Sequence, residues 1–170
     1  KRYYTLDFWE TQLNNVSITD RLKRGMLGTV QHPTILSFYT KEGLHTAAHP
    51  MYSGIITTAL NIKHVGQKKY GVGTGYIIDT DMGRILDTML RARDSNGKLL
   101  TKLFMSSRAY GAYKGKIDDC NIMDKDNYFL ITWDVVTVPG FMDAQPLYQP
   151  ANNGFNESSE LPKPSIIDTA

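Results

Sequence analysis

The chain has 170 residues, 41% hydrophobic and 21% charged, a composition that suits one globular domain and excludes disordered, collagen-like and coiled-coil proteins. Its net charge of +2 is spread along the sequence, so we expect no membrane or specific nucleic acid as a partner, and no apolar run reaches about 18 residues. A single cysteine, Cys120, excludes an internal disulfide and suits a reducing, intracellular compartment.

The first part of the chain is predicted to be helical. Apolar residues at three- and four-residue steps predict helices over 6–16 and 18–26. Ser17 is the expected N-cap of the second helix, and Gly28 follows its end. The pattern then breaks down over residues 33–50, which predicts a long loop of the kind that often carries function.

The remaining elements are mostly predicted strands. Periodicity and β-branched content indicate strands over 53–63, 69–78, 99–106 and 128–138, and a helix over 82–93. The first two strands should form a hairpin, and a turn at 124–127 should precede the last strand, whose continuous apolar run predicts a central place in a sheet. Because Asn, Ser, Glu and Pro dominate beyond Pro150, we expect a folded domain over 1–150 and a flexible tail over 151–170.

Two familiar kinds of binding site are disfavoured by their sequence context. The glycines of Gly71–Gly75 lie inside strand-like sequence rather than between a strand and a helix, so we interpret them as structural and not as a phosphate loop. His45 and His49 have the spacing of helical zinc ligands, but no glutamate follows His45 and Pro50 follows His49. We therefore predict neither a metal nor a cofactor.

A histidine and a serine form the candidate catalytic pair. His32 follows a short apolar segment, and Ser106-Ser107-Arg108 closes another, so the two side chains could meet across a sheet. A hydrolytic serine needs a neutral imidazole to take its proton and hydrogen-bond donors facing the oxyanion. Arg108 is close enough to serve as an electrostatic aid. Many proteins contain such residues, so the pair alone does not fix a function.

Four segments occur together with this pair, in a fixed order and at compatible spacings. They are Lys1-Arg2-Tyr3-Tyr4, Leu27-Gly28-Thr29-Val30-Gln31-His32-Pro33, Met105-Ser106-Ser107-Arg108, and Trp133-Asp134-Val135-Val136 with Pro139 and Ala144 beyond it. Together they resemble the prohead maturation proteases of tailed phages, the myovirus type in particular, whose fold is similar to that of herpesvirus assemblins. The resemblance runs from Lys1 to about Tyr148.

The resemblance implies a fold and a set of roles. The fold is α+β, with a mostly antiparallel, barrel-like sheet surrounded by helices, as in the herpesvirus protease. Ser106 becomes the nucleophile, with Ser107 as the alternative, and His32 becomes the general base. Ser107 and Arg108 support the oxyanion, which backbone amides near Arg108 would hold.

The third catalytic residue is expected in the long loop. His49 falls where related phage enzymes have an aspartate, so the resemblance implies that it orients His32. Glu42 in the same loop is a rival, since a carboxylate stabilises an imidazolium better than a second histidine does.

The implied function is a serine endopeptidase, packaged inside the procapsid in the bacterial cytoplasm and compatible with a homo-oligomer. Its substrates would be scaffold and major capsid proteins, cleaved after glutamate. Phe155-Asn156-Glu157-Ser158 in the tail fits that preference, so self-processing between Glu157 and Ser158 is expected, with Glu160-Leu161 as the second choice.

Three departures from the family pattern favour an alternative, a non-catalytic structural or scaffold protein that keeps the protease fold. Thr29 stands where the family has glutamate, and Ala109 stands where it has glycine. A strand-forming segment upstream of Lys-Arg-x-Tyr is also missing, so we expect a separate chain or a partner to cover the exposed sheet edge.

Overall fold

The computed structural model describes residues 1–33 and 53–146, which contain both helices and strands. The strands are β1 (Arg2–Tyr3), β2 (Met26–Thr29), β3 (Ser53–Val65), β4 (Lys68–Ile77), β5 (Phe104–Ile117) and β6 (Cys120–Val136). The helices are α1 (Phe8–Leu13), α2 (Val16–Arg24) and α3 (Asp81–Arg91). The prediction of a mixed α+β fold is therefore confirmed. None of the described helices is both long and apolar enough to cross a membrane.

The described strands form two three-stranded sheets, in the orders β1-β6-β5 and β2-β3-β4. Pairing is antiparallel except between β1 and β6. The sheets meet just beyond β2, where Val30 forms an isolated parallel bridge with Val135 and the amide of Gln31 donates to the Val135 carbonyl at 2.7 Å. Within residues 1–33 and 53–146 the sheets do not close into a barrel.

β2 and β6 approach each other closely. The Thr132 hydroxyl donates to the Leu27 carbonyl at 2.7 Å. A Cβ atom built on Gly28 would lie 1.8 Å from the Trp133 carbonyl oxygen, so only glycine fits at this crossing. The crossing is important for the site because His32 lies three residues after the end of β2.

The first helix is shorter than predicted, and its two fully buried residues are not among those whose spacing predicted it. Phe8 and Gln12 are its buried residues, whereas Leu6 and Val16 are each 69% exposed. The amide of Gln12 donates to the Lys125 carbonyl at 2.9 Å, so a polar side chain satisfies a backbone group of β6 inside the core. The spacing of apolar residues could not predict that this polar side chain is buried.

The second helix begins and ends earlier than predicted. The side chain of Asn15, not Ser17, caps it by accepting from the Ser17 amide at 2.9 Å. Gly25, with φ +85°, ends it. Met26 then starts β2 and is buried as a strand residue, because this glycine turns the chain before the apolar face of the helix can continue.

The central elements agree with the sequence. β3 and β4 form the predicted hairpin. The glycines of Gly71–Gly75 lie inside β4, as their strand-like sequence context predicted. α3 begins after Thr80, whose hydroxyl accepts from the Gly83 amide at 3.0 Å. The helix therefore begins one residue before the predicted position of 82.

The turn predicted at 124–127 is wrong. β5 and β6 turn between Ile117 and Cys120, and β6 runs through the polar segment without ending. The Asp124 carboxylate accepts from the Asp126 amide at 3.1 Å and from the Asn127 side chain at 2.6 Å. These local bonds fold the extra residues into a bulge, which a turn-like composition cannot distinguish from a reversal.

Two buried clusters pack against the sheets. One consists of Phe8, Ile18, Leu22, Met26, Leu60, Met123, Tyr128 and Leu130. The other consists of Ile55, Ile77, Leu86, Leu90, Leu103, Met105 and Val135. Trp133 contacts both clusters, so the portion of β5 and β6 that carries the candidate site is held between two cores.

Candidate active site

Ser106 and Asp134 lie directly opposite each other on β5 and β6. Residues opposite each other in an antiparallel pair project from the same face of the sheet, so the hydroxyl and the carboxylate stand side by side. The first register shift in this pair comes only after Arg108. Regular pairing therefore fixes the position of the serine relative to the aspartate.

His32 bridges these two side chains from the end of β2. Its Nε2 lies 3.0 Å from the Ser106 Oγ, and its Nδ1 lies 2.7 Å from the Asp134 Oδ2. The histidine side chain is 33% exposed, whereas the aspartate side chain is fully buried. Serine, histidine and aspartate thus form one hydrogen-bonded row that runs from the surface into the interior.

Gln31, the residue before His32, has an unusual backbone conformation. Its φ of +67° lies in the left-handed region, which is costly for a non-glycine residue and is held only by surrounding contacts. Its side-chain amide donates to the Thr137 hydroxyl at 2.8 Å, and its carbonyl lies 2.6 Å from the Thr29 hydroxyl. Contacts on both sides therefore hold the turn that presents the histidine.

Replacing Gln31 by valine should destabilise the protein by about 1–3 kcal/mol, because a β-branched residue resists positive φ and loses the bond to Thr137. Urea unfolding would measure the free-energy change. Gln31→Asn is the matched control, since asparagine keeps an amide and tolerates this backbone region. Equal stability of the valine variant and the wild type would contradict the role given to this turn.

The Asp134 carboxylate is enclosed by donors. Its Oδ1 accepts from the Thr29 amide at 2.8 Å and from the Arg108 Nη2 at 3.1 Å. Its Oδ2 contacts the Arg108 Nε at 2.9 Å in addition to the His32 ring. The Thr29 hydroxyl lies 3.1 Å from Oδ1. A carboxylate that is fully buried in this way needs such partners to remain ionised.

The guanidinium of Arg108 contacts this carboxylate instead of facing a substrate. Its side chain has no exposed surface. The structure thus places the guanidinium against Asp134, and the expected assistance of Arg108 to the oxyanion stays a prediction. Strand alternation explains this contact, because it places Arg108 on the same face of the sheet as Ser106 and Asp134.

Ser107 projects from the opposite face of β5, away from His32. Its Oγ accepts a hydrogen bond from the Tyr128 hydroxyl at 3.4 Å. Burial raises the pKa of Tyr128, so the phenol keeps its proton and acts as the donor. The structure thus separates the two serines that the sequence left as alternatives and brings only Ser106 to the histidine.

His49 and Glu42 lie outside the described residues, so their positions are not part of the description. The Nδ1 of His32, the ring nitrogen that does not contact Ser106, is bonded to Asp134. Asp134 was not predicted as a site residue, because the sequence presented it only as part of the closing strand segment. An ionisable residue within a continuous apolar run was the available signal, because a buried charge in a central strand is costly unless it has a function or a partner.

The structure shows the surroundings of Thr29 and Ala109, two positions that differ from the motifs of the proteases that the sequence resembles. Thr29 contacts Asp134 through both its amide and its hydroxyl, so this position supports the site without a glutamate. Among the described residues, positive φ at a non-glycine residue occurs at Gln31 and Asp118. Ala109 therefore does not need the left-handed backbone that would favour glycine.

Residues 1–33 and 53–146 contain no group of three or more His, Cys, Asp or Glu side chains arranged to hold a metal ion. His45 and His49 fall outside those ranges. No protein-family model matches the chain, and comparisons with curated proteins and with solved structures found no significant match.

Proposed function

We propose that the chain is a serine endopeptidase in which Ser106 is the nucleophile, His32 is the general base and Asp134 orients the histidine. One observation carries the proposal: the row from the Ser106 Oγ through His32 to the Asp134 Oδ2, with distances of 3.0 and 2.7 Å. Both distances are within the range in which a positioned base can exchange a proton with a nucleophile.

The protonation of the row follows from its partners. Asp134 contacts the cationic Arg108, so we treat it as an ionised acceptor. The Nδ1 of His32 must then donate to it, which leaves the lone pair of Nε2 free to accept the Ser106 proton. This is the tautomer that general-base catalysis requires.

The proposed reaction has two halves. The Ser106 Oγ forms a bond to a peptide carbonyl carbon while its proton passes to the His32 Nε2, and that proton then moves to the leaving nitrogen as the C–N bond breaks. Water next gives a proton to His32 and attacks the acyl carbon. The ester bond breaks, the serine regains its proton, and a carboxylic acid is released.

The developing oxyanion needs donors close to Ser106. Since the Arg108 side chain is buried against Asp134, we assign this role to backbone amides near Ser106. Asp134 meanwhile stabilises the imidazolium formed in the first step, because it carries a fixed negative charge 2.7 Å from Nδ1.

The substrate class is supported by the motif resemblance, not by the triad, which serves peptidases and esterases alike. The four ordered segments support scaffold and major capsid proteins as substrates, cleavage after glutamate, and action within the procapsid of a phage in its bacterial host. A herpesvirus-protease-like arrangement of the sheets is part of the same proposal.

A fluorophosphonate probe tests the reactivity of the serine, and a peptide containing Phe-Asn-Glu-Ser tests the specificity. We expect one probe molecule on Ser106 by peptide mapping and cleavage of the peptide after glutamate. Replacing that glutamate by glutamine provides the matched substrate control. A protein that neither reacts with the probe nor cuts the peptide would support the non-catalytic alternative that shares the fold.

The tail should be cut by the protein itself between Glu157 and Ser158. The Met105 amide donates to the Ala144 carbonyl at 2.7 Å, so the segment before the tail passes one residue from the nucleophile. A tether of this kind raises the local concentration of the tail at the site. Mass spectrometry after incubation should show loss of residues 158–170 in the wild type but not in Ser106→Ala. An intact tail alongside active peptide cleavage would contradict the prediction.

A further inference from the structure

We infer that Arg108 is a positioning residue, which acts on the reaction by keeping Asp134 an ionised and correctly oriented hydrogen-bond acceptor for His32. The inference rests on the proposed function. It assigns to the arginine a task that requires no contact with the substrate.

The contact geometry supports this role. The Arg108 Nη2 lies 3.1 Å from the Asp134 Oδ1, while Nε lies 2.9 Å from Oδ2. The planar guanidinium therefore spans both carboxylate oxygens and opposes rotation of the carboxylate. Because Oδ2 is also the oxygen that holds the His32 ring, this rotation would break the row.

The charge of Arg108 is the second reason to assign it a positioning role. Both side chains have no exposed surface. Among the described residues the other partners of the carboxylate are Thr29 and the His32 ring, so without Arg108 a buried Asp134 anion would lose its arginine counter-charge. Such a carboxylate gains from taking up a proton, and it could then donate to the Nδ1 of His32. Nε2 would consequently carry the ring proton, and it could not accept the proton of Ser106.

A purely structural ion pair would stabilise the fold without this effect, so a matched arginine is needed as a control. Arg21 provides it, because it is partly buried and its Nη1 donates to the Ile131 carbonyl of β6 at 2.8 Å. It contacts the same strand as the site but no member of the row. Arg21→Lys should therefore affect stability without affecting the chemistry.

The experiment compares Arg108→Lys and Arg21→Lys by thermal unfolding, fluorophosphonate labelling, steady-state cleavage, and the far-downfield NMR resonance of the His32 Nδ1 proton. We expect Arg108→Lys to slow labelling by about 10- to 100-fold, lower kcat, leave KM unchanged and move the resonance. Arg21→Lys should keep the wild-type labelling rate and resonance. A folded Arg108→Lys protein with a wild-type rate and resonance would overturn the inference.

Arg108→Met could unfold by leaving a buried charge unpaired, so the double variant Arg108→Met/Asp134→Asn completes the test. If the arginine acts through the aspartate, this variant labels as slowly as Asp134→Asn alone. A further loss of about tenfold would show an independent role and overturn the inference. Should the wild type neither label nor cleave, the proposed function fails, while the NMR resonance still tests whether Arg108 sets the His32–Asp134 contact.

Discussion

Replacing Ser106 by alanine should abolish peptide cleavage, lowering kcat by roughly 10⁶-fold, because no other described hydroxyl lies against the His32 ring. The change removes one oxygen from a partly exposed side chain, so the free energy of unfolding should change by about 0.5 kcal/mol or less. Cleavage assays and urea unfolding on the same preparation separate loss of chemistry from loss of fold.

Ser107→Ala is the matched control, since it makes the same chemical change one residue along the strand. Its hydroxyl accepts from Tyr128 on the other face, so we expect activity within a few-fold of the wild type and a small loss of stability. An inactive Ser107→Ala beside an active Ser106→Ala would move the nucleophile to Ser107 and reject the row.

Asp134→Asn should lower kcat by about 10⁴-fold, because an amide that donates to Nδ1 leaves the proton of His32 on the wrong nitrogen. The same change removes the counter-charge of the buried Arg108, and breaking a buried ion pair costs about 3–5 kcal/mol. Stability should therefore fall together with activity. Circular dichroism must show a folded variant before the kinetic loss is attributed to chemistry.

The variants His49→Gln and Glu42→Gln test whether Asp134, rather than a residue predicted from the sequence, orients His32. If Asp134 orients the histidine, both variants should cleave peptide at close to the wild-type rate. A loss of about 10⁴-fold in His49→Gln with a nearly active Asp134→Asn would instead identify His49 as the third member.

Local patterns predicted the parts of the fold that depend on neighbours in sequence. The β3–β4 hairpin and the helix after Thr80 were foreseen because a short turn and a capping hydroxyl act within a few residues. The end of α2 was missed by a few residues, since Gly25 and Gly28 are equally good helix terminators by composition.

The complete site depended on strand register as well as on local motifs. His32 and Ser106 were singled out by their motifs, but their partner was not, because pairing Ser106 with Asp134 requires the register of two long strands. The polar stretch at 124–127 even suggested a turn in the wrong place.

The crossing of β2 over β6 brings His32 beside residues that are far from it in sequence. The site is therefore complete only after both distant segments have been synthesised. His32 and Asp134 are 102 residues apart. At about 5–20 residues per second, the ribosome takes roughly 5–20 s to make the intervening chain. A growing polypeptide that already exposes the histidine therefore has no working nucleophile. The proposed proteolytic activity must therefore wait until β6 has been made, so translation itself delays its appearance.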